Sequence, residues 1–306
     1  MKGTVSKSVV WSAADYASNS AVQHTWAREL IAKLDLRGDE RILDVGCGDG
    51  KVTAEMAHAV PKGSVVGVDA SSQMIEFATK TFSIPNLEFR TVDAREIKPA
   101  ALSSPSPPPK EERAGVRRSI KPLTPALSPL GRGEGDERTP ALFDVVFSNA
   151  ALHWVDDHQA FLRGAASVLK PDGRLLVSCG GKGNAHDVFL ALRPVMRQKR
   201  WREFFRKMEA PYFFHSPEEY KKWLLRFGFQ KHSVKLTPKD VTYAGREGFA
   251  TWLRTTWIPY TQRVPENLRE EFIASVAERY IGKHPMDARG MVPVRMVRLE
   301  IDAVRI

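Results

Sequence analysis

Through Cys179 the chain alternates short β-branched apolar runs with stretches whose apolar positions recur every three or four residues. That alternation is the signature of a parallel sheet covered by helices. Strands are predicted at residues 41–45, 64–68, 87–92, 143–148 and 174–179. Ser72 can cap a helix carrying Met74, Phe77, Ala78 and Thr81 on one face. Asp156 or Asp157 can cap another through Phe161, Leu162, Ala165 and Leu169, stopped by Pro171-Asp172-Gly173. Beyond Cys179 the texture turns helical and aromatic, with Trp201, Trp223, Trp252 and Trp257, and Leu268, Phe272, Val276 and Tyr280 recur every four residues. Strands near 233–236 and 294–301 complete the sheet; in the latter, Arg298 and Glu300 alternate with Val297, Leu299 and Ile301, as on a strand with one wetter face. The expected fold is α/β, a doubly wound, mostly parallel seven-stranded sheet with a helical, aromatic-rich cap.

One stretch breaks this rhythm. Residues 99–140 hold nine of the 20 prolines and no Phe, Trp, Tyr, Met or Cys, too little apolar surface to offset the entropy of ordering. A disordered insert is expected there, and residues 122–135 look like a translated dispersed bacterial repeat, a passenger. The boundaries that follow are a core at 1–98 and 141–183, the insert at 99–140, and a cap with the last strands at 184–306.

At 306 residues, with 42% hydrophobic and 27% charged side chains and a mean hydropathy of −0.32, the chain can bury a full core. No apolar run is long enough to span a membrane, and residues 1–11 lack the apolar centre of a signal peptide, so a soluble, cytoplasmic protein is expected. Two cysteines, Cys47 and Cys179, are too few for a disulfide framework or a thiolate metal cage. Residues 190–306 carry 23 Lys+Arg against 13 Asp+Glu, which accounts for the whole net charge of +10. Such an excess suits a nucleic acid or a small acidic substrate, or simply a solvated basic face.

The candidate chemistry begins at Arg41-Ile-Leu-Asp-Val-Gly-Cys-Gly-Asp-Gly50, a strand running into three alternate glycines and then a helix near Lys51. Gly46, Gly48 and Gly50 permit positive φ and close backbone approach to a ligand, and the helix start offers unpaired N–H groups. Asp69, at the next strand end, can bind both hydroxyls of a ribose. Lys51 stands where a dinucleotide fingerprint asks for glycine or alanine, which disfavours a pyrophosphate. Asp93-Ala94 follows the third strand, where a carboxylate can accept a bond from an adenine amino group.

Through Leu43-Asp44-Val45-Gly46-Cys47-Gly48-Asp49-Gly50, Asp69, Asp93-Ala94 and Phe143-Asp-Val-Val-Phe-Ser-Asn-Ala150, the chain resembles the class I S-adenosylmethionine-dependent methyltransferases. That resemblance implies that Gly46, Cys47, Gly48 and Gly50 wrap the aminoacyl part of the cofactor and Asp44 anchors its ammonium through a hydrogen-bonded network. It likewise implies that Asp69, with Ala70 and Met74 beside it, holds the ribose, Asp93 and Ala94 read the adenine, and Asn149 and Ala150 border the methionine. Tyr16, Ser20 and Gln23 look like a helix that closes over the cofactor, although Tyr16 can equally be a core aromatic.

Methyl transfer from a sulfonium needs chiefly alignment, and a base only if the acceptor is not already ionised. His153 is the base candidate; packed beside Trp154, it can instead shape the pocket. Residues Phe147 to Val155, Trp252-Leu-Arg-Thr-Thr-Trp-Ile-Pro-Tyr260 and a last strand bearing Arg295 and Arg298 are similar to the trans-aconitate methyltransferase branch. The resemblance implies O-methylation of a small polycarboxylate, with Arg254 and Arg295 on its carboxylates and Trp257 and Tyr260 as an apolar wall. A tRNA or other nucleic-acid methyltransferase and a non-catalytic cofactor-binding module are the alternatives. No metal and no membrane partner is expected, and the protein is read as a monomer or homodimer.

Overall fold

The computed structural model describes residues 21–103 and 142–306. Its strands are β1 (Arg41–Val45), β2 (Ser64–Asp69), β3 (Leu87–Thr91), β4 (Phe143–Asn149), β5 (Leu169–Gly180), β6 (Phe229–Pro238), β7 (Val241–Ala244), β8 (Met291–Val294) and β9 (Val297–Arg305). Seven of them form one sheet in the order β3-β2-β1-β4-β5-β9-β6. The first five are parallel, whereas β9 lies between β5 and β6 and runs antiparallel to both.

Successive residues of each strand face opposite sides, so a sheet covered on both faces needs near-continuous apolar strands. Leu43, Val45, Val146, Leu175 and Val177 pack with Phe161, Leu162, Tyr220 and Leu224 of helices His158–Val168 and Pro217–Arg226. Their strand neighbours Ile42, Val145, Phe147 and Leu176 pack on the other face with Leu30 and Met56 of helices Ala21–Ile31 and Lys51–Ala59. The aromatic-rich C-terminal region gathers about its own core, where Trp201, Phe249, Trp252, Phe272 and Tyr280 join helices His186–Met196, Gly245–Thr256 and Glu266–Ile281 to the β7–β8 pair. No helix among the described residues is long and apolar enough to cross a membrane.

Local departures from the sequence reading have identifiable causes. Ser71, not Ser72, caps helix Ser72–Thr81 by accepting the Met74 N–H, and Ile75 rather than Thr81 completes its buried face. Asp157 is the other cap, and Leu169 opens β5 instead of ending the helix. Val294 belongs to β8, because the chain breaks at Arg295-Met296 before β9 begins. Of the segment expected to be a disordered insert, Pro99–Ser103 is helical and Leu102 packs on the sheet. The rest of the insert, with Tyr16 and Ser20, lies outside the described residues. Arg298 is not on a wetter face: β9 is an interior strand, and the side chain is 4% exposed.

Candidate active site

The carboxyl ends of β3, β2, β1 and β4 lie side by side in the sheet order, so the residues leaving these strands converge on one edge. After β1, Gly46, Gly48 and Gly50 all adopt positive φ, at 76°, 55° and 82°. The loop is pinned by Gly46 and Cys47 N–H groups donating to Val68 O at 2.7 and 3.0 Å. It passes so close to the β4 end that a Cβ on Gly46 would stand 2.1 Å from the Ala151 Cβ. Ala150 itself is left-handed, at φ 59°, with its N–H donating to Ser178 O at 2.8 Å. Left-handed alanine is a strained backbone of the kind that clusters at ligand sites.

Three carboxyl groups face this loop. Asp44, 2% exposed, accepts the Thr53 hydroxyl at 2.7 Å; burial, opposed by that bond and aided by the charge of Asp69, raises its pKa to about 7. Asp69 accepts Gly48 N–H at 3.1 Å on one oxygen and Ser71 N–H at 2.8 Å on the other. Burial and the nearby Asp93 push its pKa up, against the pull of those two bonds. Asp93 caps the short turn Ala94–Glu96 and is gripped by Arg95, which holds its pKa down and also reaches Asp156 at 2.9 Å. Each Asp69 oxygen keeps a lone pair beyond its backbone bond, so the carboxylate can fasten the glycine loop and still receive two hydroxyls. Cradle and donor set therefore fit an adenosyl ligand with a free aminoacyl end. Ala70 is exposed beside this carboxylate, Met74 is buried one helical turn away, and Cys47 is a buried thiol with its pKa pushed up by burial. Gln23 lies on helix Ala21–Ile31, but its side chain is outside the described set.

Past Asn149 the turn Leu152–Trp154 carries His153 and Trp154. Gly180 N–H donates to His153 Nδ1 at 3.4 Å, which leaves the proton of the neutral ring on Nε2. Burial, then the charges of Arg298 and His158, drive the His153 pKa down to about 3. That shift favours the neutral ring, which offers its Nε2–H as a donor and is a weaker base than free imidazole. Phe213 N–H donates to His153 O at 2.9 Å and docks the segment 212–214 on this turn. Tyr212 meets Trp154 with ring centroids 4.7 Å apart, Phe214 at 5.6 Å and Trp257 at 5.8 Å. Phe189 meets Trp257 at 4.8 Å, and Trp257 meets Tyr260 at 5.7 Å. Thus the structure brings His153, Trp154, Trp257 and Tyr260 together, through Tyr212, Phe214 and Phe189, which the sequence reading missed.

The two arginines expected on the acceptor are elsewhere. Arg254 lies at the surface, paired with Glu270 at 2.6 Å and Glu247 at 3.6 Å, and Arg295 is exposed. The guanidinium at the site belongs to Arg298, whose Nε donates to Ser178 Oγ at 3.2 Å and Nη2 to Ser178 O at 2.6 Å and Asn149 Oδ1 at 3.1 Å. It lies over the Trp26 ring, 5.3 Å from the centroid. Cys179, 1% exposed, has a thiol raised by burial to about 12 and is a packing residue rather than a nucleophile.

A family model described as a methyltransferase domain matches residues 18–234. The chain belongs to the methyltransferase-domain family. It is a class I S-adenosylmethionine-dependent methyltransferase, and its cofactor is S-adenosylmethionine. This methyltransferase is 28% identical to an uncharacterized methyltransferase of Schizosaccharomyces pombe, over 74% of this chain and 72% of the relative. It is 23% identical to the trans-aconitate 2-methyltransferase of Methylobacterium nodulans, over 96% and 98%, and 24% identical to the juvenile hormone acid O-methyltransferase of Drosophila melanogaster, over 85% and 79%. Its fold is similar to that of the YcgJ protein of Bacillus subtilis, with a TM-score of 0.52 at 17% identity, covering 92% of this chain and 98% of that one.

Proposed function

We propose that this methyltransferase transfers its methyl group to a carboxylate oxygen of a small acid. The observation that supports the reading is a guanidinium, that of Arg298, at the carboxyl ends of β4 and β5, donating to Asn149 Oδ1 and Ser178 O beside the candidate cofactor loop. His153 sits near 3, the Tyr260 phenol is raised by burial to about 12, and that of Tyr212 well above its ordinary value. A carboxylate, with a reference pKa near 4, arrives ionised at neutral pH and needs no base. Arg298 supplies positive charge at the same edge, and a charge-assisted bond from it is worth roughly 1.5–3 kcal/mol. When bound, the cofactor would be held by the glycine loop and Asp69 and would supply a methyl group on a sulfonium, which an ionised carboxylate could accept without losing a proton. The glycine loop and Asp69 fix one reactant and Arg298 attracts the other, so the contribution of the chain is alignment.

The test is to incubate the protein with S-adenosylmethionine and, separately, carboxylic acids, amines, phenols and bulk tRNA, and to follow methylated products by mass spectrometry. Methyl esters support the reading. A methylated amine, phenol or tRNA with no ester overturns it.

A further inference from the structure

We propose that residues 206–216 form a strap, hinged at Lys207, that closes over the carboxyl ends of β4 and β5 and lifts to admit the acceptor, with Phe214 on Gly180 as the contact that seats it. This inference rests on the methyltransferase assignment and is independent of which class of acceptor is methylated.

The segment joins the short turn Arg202–Phe205 to helix Pro217–Arg226 and has no helix or strand of its own. It nevertheless crosses the sheet at the edge where the cofactor loops gather. Phe213 N–H donates to His153 O at 2.9 Å just past β4, and Lys182 N–H donates to His215 O at 2.9 Å just past β5. Among the described residues those are the backbone–backbone bonds of residues 209–215. Backbone so sparsely bonded opens at a lower free energy than the ladders of β5 and β9 beneath it. The two ends of the segment differ in stiffness. Ser216 is fixed, because its hydroxyl accepts Glu219 N–H at 3.4 Å while the Glu219 carboxylate accepts Ser216 N–H at 2.8 Å, and Pro217 opens the helix. Lys207 is exposed and left-handed, at φ 63°, a strained backbone at an element end, where a hinge absorbs its dihedral change.

The seat is a match of one ring to one missing side chain. Gly180, the last residue of β5, lies outside the left-handed region, so its bare Cα serves space rather than backbone freedom. A Cβ there would stand 2.7 Å from Phe214 Cε1 and 3.0 Å from Asn184 Nδ2. Phe214 stacks on Tyr212 with centroids 5.6 Å apart and planes 7° from parallel, and the Tyr212 hydroxyl donates to Thr256 O at 3.2 Å. On the other side His215 packs edge-on against His158 at 4.4 Å and Trp223 at 4.8 Å. Beneath lies His153, whose ring is 6.2 Å from those of Tyr212 and Phe214. Shut, such a cover keeps water from the reacting groups; lifted, it lets an acceptor reach them.

Hydrogen exchange followed by mass spectrometry, on the full chain saturated with S-adenosylhomocysteine, tests the opening. Peptides within 207–215 are expected to exchange at least about 100-fold faster than those of β5 and β9. Gly180→Ala should unseat Phe214 and speed strap exchange about tenfold further, while calorimetric affinity for S-adenosylhomocysteine stays within a factor of about two. With the acceptor that the methylation screen returns, whatever its class, the same variant should raise the acceptor KM about tenfold and leave the S-adenosylmethionine KM unchanged. Phe214→Leu added to Gly180→Ala makes room for the new methyl and should recover both strap protection and acceptor KM. Strap exchange as slow as that of β5 overturns the inference, as does a Gly180→Ala protein with wild-type strap exchange. Loss of protection spread equally over the strap and β5 in that variant also overturns it, because the strap then does not open as a unit. Failure of Phe214→Leu to restore protection overturns the seat. A screen that returns a methylated amine and no ester overturns the carboxylate reading and leaves the strap standing.

Discussion

Gly46→Ala is the sharpest probe of the cofactor cradle. The residue holds φ at 76°, a conformation that costs a residue with a side chain about 1–2 kcal/mol. The new methyl would also lie 2.1 Å from the Ala151 Cβ, and since Ala151 is packed at the β4 end, relief requires the two loops to part by more than an ångström. Forced repacking of this kind costs about 1–3 kcal/mol, for a combined effect of about 2–5 kcal/mol. Gly245→Ala is the matched control, with φ at 59° and no atom within 4 Å of the added Cβ, so only the backbone cost remains. Thermal unfolding should separate the two variants, each kcal/mol amounting to about 2–4 °C in a chain of this size. Calorimetry should show that Gly46→Ala also loses affinity for S-adenosylhomocysteine, which Gly245→Ala retains. A Gly46→Ala protein with wild-type affinity and the melting temperature of the control would refute the argument that this close approach shapes the cradle.

Other outcomes follow from the same geometry. Asp44, with its pKa raised to about 7, binds a proton more tightly folded than unfolded, so its contribution to the stability of the cofactor-free protein is lost as pH rises through 7. An ammonium brought near it favours the ionised form; S-adenosylhomocysteine affinity should therefore rise about tenfold from pH 6 to pH 8, and Asp44→Asn should flatten that profile in calorimetric titrations. Asp69→Asn sets an amide N–H against the N–H of Gly48 or Ser71, and the melting curve should show a loss of about 1–3 kcal/mol together with weaker cofactor binding; a drop in affinity with no change in stability would confine Asp69 to ligand contact. Arg298→Met should raise the acceptor KM at least about tenfold, whereas Arg254→Ala should leave it within a factor of about two because that guanidinium faces Glu270; the reverse pattern in steady-state kinetics would exchange their roles.

The cofactor half was legible because its signals are local. Three glycines at alternate positions, an acid closing each of two neighbouring strands, and apolar runs of strand length all act within a dozen residues, and β1 begins and ends where the pattern puts it. The aromatic cluster beside His153 was not, because it is assembled by long-range contacts. Tyr212 and Phe189 carry no periodic or motif signal; only docking of the segment 212–214 on His153 brings them to the site. Arg298 read as lying on a wetter face, because alternation along one strand does not encode its neighbours, and β9 is an interior strand. Arg254 read as a carboxylate anchor, whereas its closest partner, Glu270, comes from helix Glu266–Ile281, a pairing set by how the helices pack. Likewise Asp93 read as an acceptor for an adenine amino group, while its neighbour Arg95 occupies much of its capacity.

The reversed direction of β9 has a practical corollary for handling the protein. Because this strand enters the sheet at the reactive edge, it leaves at the opposite one, where Ile306 N–H donates to Gly228 O at 3.0 Å. A reporter or surface tether appended after Ile306 therefore stands a full strand length from bound reactants, whereas lengthening the two-residue link between β8 and β9 would slide Arg298 out of register. Residue 306 is the position for such a tether, and residues 295 and 296 are the ones to leave untouched.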